Sequence, residues 1–228
     1  MAAKKMRCDT IQCQSFRPAE AVLGKVNFLL PLFSMTDEQA MWRVQTTDDD
    51  AAFRHLVQRW ELPILRLCAR MTGNLHQAED LKQETFTRIF VRRKDFHQGS
   101  RFSTWLWRIA LNLCYDELRK RQRHGECSLG EGAEQAEFAP EQASPEASPD
   151  LRLAAQEECE LVRCALLRLP EAQRTVLVLR YCEGLKLREI ADILEIPETT
   201  ASSRIAVGLA QITRLLEPEF DEMKGRIC

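Results

Sequence analysis

The stretch RFSTWLWRIALNLCYDELRKRQR, residues 101–123, decides how the chain folds. Placed at 100° per residue, Phe102, Leu106, Ile109, Ala110 and Leu113 fall within about a quarter-turn, and Trp107, Leu111, Cys114 and Leu118 widen that face. A face so broad is the buried side of a helix in a bundle. The narrow stripe left over holds Trp105, Arg108, Asn112, Tyr115, Asp116 and Arg119. A solvated face normally mixes Glu and Lys and carries neither tryptophan nor tyrosine. Between residues 92 and 123 nine arginines and lysines stand against three acids, a local charge of +6. Positive charge beside aromatic and amide side chains suits phosphate contact with base stacking alongside; a plain solvated face is the alternative.

Upstream, Phe53, Leu56, Val57 and Trp60 recur at helical spacing, and Ile64, Leu67, Cys68 and Met71 continue the pattern past Pro63. Gly73-Asn74 punctuates it as a helix end would. In AEDLKQETFTRIFV (78–91), Ala78, Leu81, Thr85 and Ile89 form one stripe with Phe86 and Phe90 beside it, while Asp80, Gln83, Glu84 and Thr87 lie opposite. DFHQGS (95–100) then breaks the helix.

Downstream, GECSLGEGAEQAEFAPEQASPEASPD (125–150) carries seven acids, no lysine or arginine and three prolines. With few large apolar residues to pack, it reads as a disordered acidic linker. Beyond it come an amphipathic helix stopped by Pro170, then EAQRTVLVLRYCEG, whose Val176, Leu177, Leu179 and Tyr181 form an apolar side. In LREIADILEIPETTASSRIAVGLAQITRLL, Ile190, Ala191, Leu194 and Ile196, a break at 195–197 and a second helix from about Glu198 match helix-turn-helix spacing. Thr199 and Thr200 stand at the start of that helix, where hydroxyls and free backbone amides meet phosphates.

The totals bound the rest. The 228 residues carry a formal charge of −2, so any basic surface must come from segregated charge. The nine cysteines are odd in number and scattered, with no CxxC and no histidine near the close pairs Cys8/Cys13 and Cys159/Cys164. They read as reduced thiols rather than a disulfide framework or a metal site. Residues 22–33, VLGKVNFLLPLF, are too short and too interrupted to span a bilayer, and no cleavage site follows them. The expectation is a cytoplasmic chain without membrane insertion. Met35 opens a more ordinary start, so residues 1–34 read as a dispensable extension.

The order of these parts resembles a bacterial sigma factor of the sigma-70 family, in its small extracytoplasmic-function branch, which holds only regions 2 and 4. The resemblance rests on AEDLKQETF, on FSTWLWRIALNLCYDELRKRQR, on the acidic hinge and on LPEAQRTVLVLRYCEGLKLREIADILEIPETTASSRI, and covers about 48–216. It implies an all-α fold of two small helical domains. Residues 1–47 would be a poorly ordered extension, 48–124 region 2, 125–152 the linker, 153–218 region 4 and 219–228 a tail. It also implies core RNA polymerase and promoter DNA as partners, with an anti-sigma factor common in the family though nothing in the sequence identifies one. No metal, cofactor or catalytic residue is implied.

Residue by residue, the resemblance assigns polymerase docking to Asp80, Leu81, Gln83, Glu84 and Phe86. Minus-ten reading and melting fall to His97, Gln98, Ser100, Arg101, Trp105, Arg108 and Asn112, with Arg119, Lys120, Arg121 and Arg123 on duplex phosphates upstream. Contact with the minus-thirty-five element falls to Thr199, Thr200, Ser203 and Arg204. The second block departs from the family pattern GTVKSRLxRAR: Ser202, Val207 and Leu209 stand where lysine or arginine is expected. Residues 180–216 hold five basic and five acidic residues, no net charge. Glu195 occupies a turn position where a positive φ would favour glycine. The expectation is a weak minus-thirty-five contact. Two rivals stay open: a stand-alone helix-turn-helix regulator, and a polymerase-binding homologue that reads promoters poorly. No Gly-rich phosphate loop, HExxH or GxSxG points to an enzyme.

Overall fold

The computed structural model describes residues 35–124 and 149–227. Thr36 starts the first helix: its hydroxyl accepts from Gln39 N at 3.2 Å while Gln39 Oε1 accepts from Thr36 N at 3.1 Å, a reciprocal cap. The helix it opens, α1 (Asp37–Thr47), buries Ala40, Met41 and Val44. This corrects the expected domain start. Residues 36–47 belong to the first domain, and Trp60 Nε1 donates to Asp37 at 3.1 Å to tie α1 down. Residues 1–34 and 125–148, expected as extension and linker, lie outside the described residues.

Asp49 caps α2 (Asp50–Thr72) by accepting from the amides of Ala51 and Ala52. Gly73, at φ 74°, ends α2, and Asn74 caps α3 (Leu75–Val91) through the amide of Gln77, so two residues turn the chain into an antiparallel hairpin. A short 3-10 turn, Arg93–Asp95, leads into the loop before α4 (Phe102–His124). Most of the predicted buried face of α4 is in place: Phe102, Leu106, Trp107, Ala110, Leu111, Leu113 and Cys114 are all at most 5% exposed, while Ile109 and Leu118 at its margins are half-buried. Full burial of each large side chain is worth about 1.5–3 kcal/mol, so this face anchors the bundle.

The second half holds α5 (Pro149–Arg168), α6 (Glu171–Leu177), α7 (Leu187–Leu194) and α8 (Glu198–Ile227). No strand occurs among the described residues. Two boundaries differ from expectation. Helix α5 reaches back to Pro149, into the segment expected as linker, because proline at the first helical position sacrifices only an amide without an intrahelical partner. Helix α8 continues through the expected tail to Ile227; the Glu, Met and Lys there are good helix formers. Between α6 and α7 the chain makes a π turn, Val178–Cys182. The extra residue per turn rotates Tyr181 outward, and the ring expected on the apolar side is 61% exposed.

The described residues from Thr36 onward form one compact unit, in which the second half packs on the first. Arg174 is the keystone. Only 7% exposed, it donates Nε to Leu166 O (3.1 Å), Nη2 to Leu167 O (2.6 Å) and Leu169 O (3.0 Å), and Nη1 to Met71 O at the end of α2 (2.5 Å). The negative ends of two helix dipoles thus converge on one guanidinium. Burial pushes the Arg174 pKa down, and the Glu171 charge partly restores it. Beside it, a Cβ on Gly73 would lie 2.7 Å from Leu167 Cδ1, so glycine lets α5 cross the α2–α3 corner.

Candidate nucleic-acid interface

The loop entering α4 is pinned from beneath. Phe96 is 5% exposed and its ring meets Phe102 at 6.2 Å and Trp105 at 5.5 Å between centroids. Gln45 Nε2 donates to Lys94 O (3.1 Å) and Phe96 O (3.0 Å), and Glu38 Oε1 accepts from Phe102 N (3.3 Å). With Phe96 held down, His97, Gln98, Gly99 and Ser100 stand exposed. Gly99 takes φ 92°, which a side chain would strain. Trp105, expected on the reading stripe, is half-buried in the Phe96–Phe102 cluster and forms the floor of the loop, because an indole gains more from aromatic packing than from water.

The missed residues sit on α1. Trp42, 48% exposed, with Gln39, Phe96, Gln98 and Gly99 lines an open cavity of about 290 Å³. An indole wall, a phenyl floor and an amide could stack and hydrogen-bond a flat heteroaromatic group. The cap signature T-D-E-Q at 36–39 could have placed this helix, and with it Trp42, from sequence.

Along α4 the basic stripe is engaged rather than open. Arg101 Nη1 lies 3.2 Å from Glu189 Oε1. Arg108 Nη1 lies 2.8 Å from Glu195 Oε1, its Nε donates to Ile193 O at 3.2 Å, and its Nη2 donates to Asp192 O. Tyr115 Oη and Thr175 Oγ1 share a hydrogen bond at 2.8 Å. Burial pushes the Tyr115 pKa up, partly offset by the Thr175 bond and the Arg204 charge. Asn112 is exposed and lines a cavity of about 200 Å³ with Arg108, Tyr115, Leu194 and Glu195. Farther along, Arg119, Lys120 and Arg123 are exposed. Arg121 is half-buried and donates Nη1 to Thr72 O at 3.0 Å. It closes the end of α2 instead of pointing outward with its neighbours.

On α3, Asp80, Gln83, Glu84 and Thr87 form an exposed polar face, with Glu84 2.8 Å from Arg88 Nε. Leu81 and Phe86, expected among the docking residues, are each 8% exposed. They hold that face against the bundle. At the start of α8, Thr199 and Ser203 are exposed, and Ser203 Oγ donates to Thr200 O at 3.3 Å. Arg204 is half-buried, with its charge acting on Tyr115. Glu195 ends α7 at φ 54°, as the sequence suggested.

Residues 56–124 match the family described as Sigma-70 region 2, and residues 159–212 the family described as Sigma-70, region 4. The chain is 36% identical over 170 residues to the ECF RNA polymerase sigma factor SigW of Bacillus subtilis, covering 74% of this chain and 90% of that one. The chain belongs to the extracytoplasmic-function branch of the sigma-70 family. This sigma factor is also 35% identical to the RNA polymerase sigma-H factor of Pseudomonas aeruginosa, over 82% of its own length and 96% of the relative's. Among solved structures it resembles the sigma factor RpoE from Bartonella quintana, bound there to the anti-sigma factor NepR, with TM-score 0.53 and 26% identity, covering 72% of this chain and 96% of that one. It binds core RNA polymerase and directs transcription initiation at promoters. The stand-alone regulator is thereby displaced, since the first block is itself region 2.

Proposed function

We propose a division of labour among the faces of this sigma factor. Asp80, Gln83 and Glu84 on α3 dock on core polymerase. The loop His97–Ser100, with Arg101, Arg108 and Asn112, captures the melted minus-ten strand, and the Trp42–Gln98 cavity receives one unstacked base. Arg119, Lys120 and Arg123 hold duplex phosphates upstream. The observation that carries the reading is that the exposed loop His97–Ser100 shares Gln98 and Gly99 with the aromatic-walled cavity, while the helix that follows the loop carries exposed cations. Stacking contributes about 1–3 kcal/mol per base, and the cations supply attraction that is indifferent to sequence.

Thr199, Thr200, Ser203 and Arg204 meet the minus-thirty-five element, weakly. From Glu198 to Thr213 the exposed positions of α8 are Glu198, Thr199, Ser202, Ser203, Ala206, Val207, Leu209, Ala210 and Thr213, and the first exposed cation along the helix is Arg214. That observation also favours a second reading, a polymerase-binding homologue with poor promoter discrimination. The protein works in the cytoplasm without a catalytic step of its own; no helix among the described residues is long and apolar enough to cross a membrane. By analogy with the RpoE–NepR complex, an anti-sigma factor is the natural inhibitor.

The docking assignment is tested by holoenzyme assembly. Wild-type protein co-elutes with bacterial core polymerase, and Asp80→Ala/Gln83→Ala/Glu84→Ala loses most of that binding while keeping its helical circular dichroism. A wild-type chain that does not bind core polymerase overturns the reading. A triple variant that binds normally moves the docking surface elsewhere.

A further inference from the structure

We propose that α1 is a splint for the minus-ten loop, with Gln45 and Glu38 as positioning residues that set the loop in its reading shape before DNA arrives. The proposal deepens, and rests on, the reading of His97–Ser100 as the loop that captures the melted strand.

Gln45 holds one end of that loop. Its amide nitrogen has two hydrogens and gives both to the main chain, to Lys94 O at 3.1 Å and to Phe96 O at 3.0 Å. Beside it Asp48, at the C-terminal end of α1, takes Arg93 Nε at 2.6 Å, and Arg93 Nη1 donates to Phe90 O at 2.9 Å. Glu38 holds the other end. Helix α4 begins at Phe102 with Arg101 at the capping position, where Ser, Thr, Asp or Asn would serve. The Glu38 carboxylate supplies the cap from another helix, accepting from Phe102 N at 3.3 Å, and its charge suits the positive end of the α4 dipole.

The splint is itself fixed to α2. Asp37, in the first turn of α1, accepts from Trp60 Nε1 at 3.1 Å and pairs with Arg59 at 3.2 Å. Residues 56–124 match region 2, so α1 lies outside the matched segment while it shapes a loop within it.

The spacing of the two holding points decides the loop's shape. Glu38 and Gln45 stand about 10 Å apart along the helix axis. The chain from Phe96 to Phe102 could reach about 20 Å if extended. With about half of that length surplus, the loop must bow. It does so through a turn in which Ser100 N donates to His97 O at 3.1 Å and Gly99 takes φ 92°. The bow sets Gln98 and Gly99 across a cavity of about 290 Å³ from Gln39 and Trp42, which lie on α1 between the two holding points. The base-sized gap is thus a product of the splint, present without DNA and ready to bind without further ordering. Release of either end lets the loop fall across it.

The test uses holoenzyme assembled from core polymerase and the full chain carrying Gln45→Met, Glu38→Ala or Glu38→Gln. Methionine keeps the length of the Gln45 stem, and Lys94 O lies at the surface where water can replace the lost donor, so the fold survives. Two quantities are measured. One is hydrogen exchange of the 94–102 peptide in the free protein, by mass spectrometry. The other is the ratio of affinities for two fluorescein-labelled fork junctions of the promoter of the protein's own gene, one with its unpaired minus-ten strand intact and one with that strand scrambled. Phosphate attraction is common to both junctions, so the ratio reports the loop's shape rather than its charge. Loss of two hydrogen bonds lowers the fraction of loops in the reading shape, and the ratio falls in proportion, about five-fold. Gln45→Met and Glu38→Ala should both show faster loop exchange and this lower ratio. Glu38→Gln should match wild type in both, because its amide oxygen still accepts from Phe102 N. An unchanged ratio for Gln45→Met and Glu38→Ala, with or without faster exchange, overturns the splint and leaves the loop's assignment standing. A wild-type holoenzyme that does not distinguish the two junctions overturns that assignment and the splint with it.

Discussion

Arg174→Met removes the guanidinium that gathers the ends of α5 and α2. Four carbonyl oxygens lose their donor: Leu166, Leu167 and Leu169 within the second domain, and Met71 in the first. A hydrogen bond to a charged group contributes about 1.5–3 kcal/mol, but four made by one group are not additive. Against them stands the cost of burying the charge, visible in the direction of the Arg174 pKa, held below the usual guanidinium value mainly by desolvation. A net loss of about 3 kcal/mol is the reasonable balance, since methionine refills the volume but satisfies no carbonyl. For a chain of this size that is a fall in Tm of about 6–12 °C. Thermal and urea melts followed at 222 nm give the number. Arg174→Lys should recover little of it, because one ammonium cannot span carbonyls from two helices in the arginine's fork geometry. A melting point within about 2 °C of wild type for Arg174→Met would refute the keystone argument.

Gly73→Ala should cost about 1–3 kcal/mol in urea unfolding, since a Cβ there meets Leu167 Cδ1 at 2.7 Å and the backbone sits at φ 74°; an unchanged midpoint would show that α5 does not need the glycine. Cys114 and Cys68 face each other at 3.7 Å between sulfurs in the core, and the Cys68 hydrogen bond and burial raise the Cys114 pKa well above the ordinary thiol value. Iodoacetamide at pH 8 should therefore leave both intact in the native protein while alkylating exposed Cys159, as read by peptide mass spectrometry. Burial raises the Glu183 pKa despite the Arg70 charge 2.9 Å away. The folded state thus holds this proton more tightly than the unfolded chain, and stability from this group is full below the ordinary glutamate pKa and lost as pH rises through the raised one. Glu183→Gln should flatten that decline between the glutamate range and neutrality; identical pH slopes would contradict it.

The helices of both domains were legible because their apolar stripes are long and regular. Ala78, Leu81, Thr85 and Ile89 on α3 and Phe102, Leu106 and Leu113 on α4 are buried as their spacing requires. The helix-turn-helix was legible too, down to the positive φ of Glu195, because a short helix, a tight turn and Pro197 leave few other readings. What stayed hidden depends on contacts across the chain. Helix α1 has only eleven residues, and its worth comes from Trp60 and the loop it props, not from its own propensity. Trp105 lay on the polar side of the wheel, yet Phe96, just outside the helix, draws it into an aromatic cluster. Arg121 sits in a run of cations identical in character until the end of α2 arrives beside it. The contacts of Arg108 could not be read at all, because nothing local tells it that its partners lie more than eighty residues away.

The central claim, that α4 reads melted promoter DNA on behalf of polymerase, is met most directly by in vitro transcription with core RNA polymerase from the promoter of the protein's own gene or a neighbouring one. Arg108→Ala/Asn112→Ala should still assemble with core polymerase, since neither residue lies on α3, yet should yield promoter-specific transcripts reduced at least ten-fold. Undiminished transcripts from that variant would contradict the account and remove the α4 stripe from promoter reading.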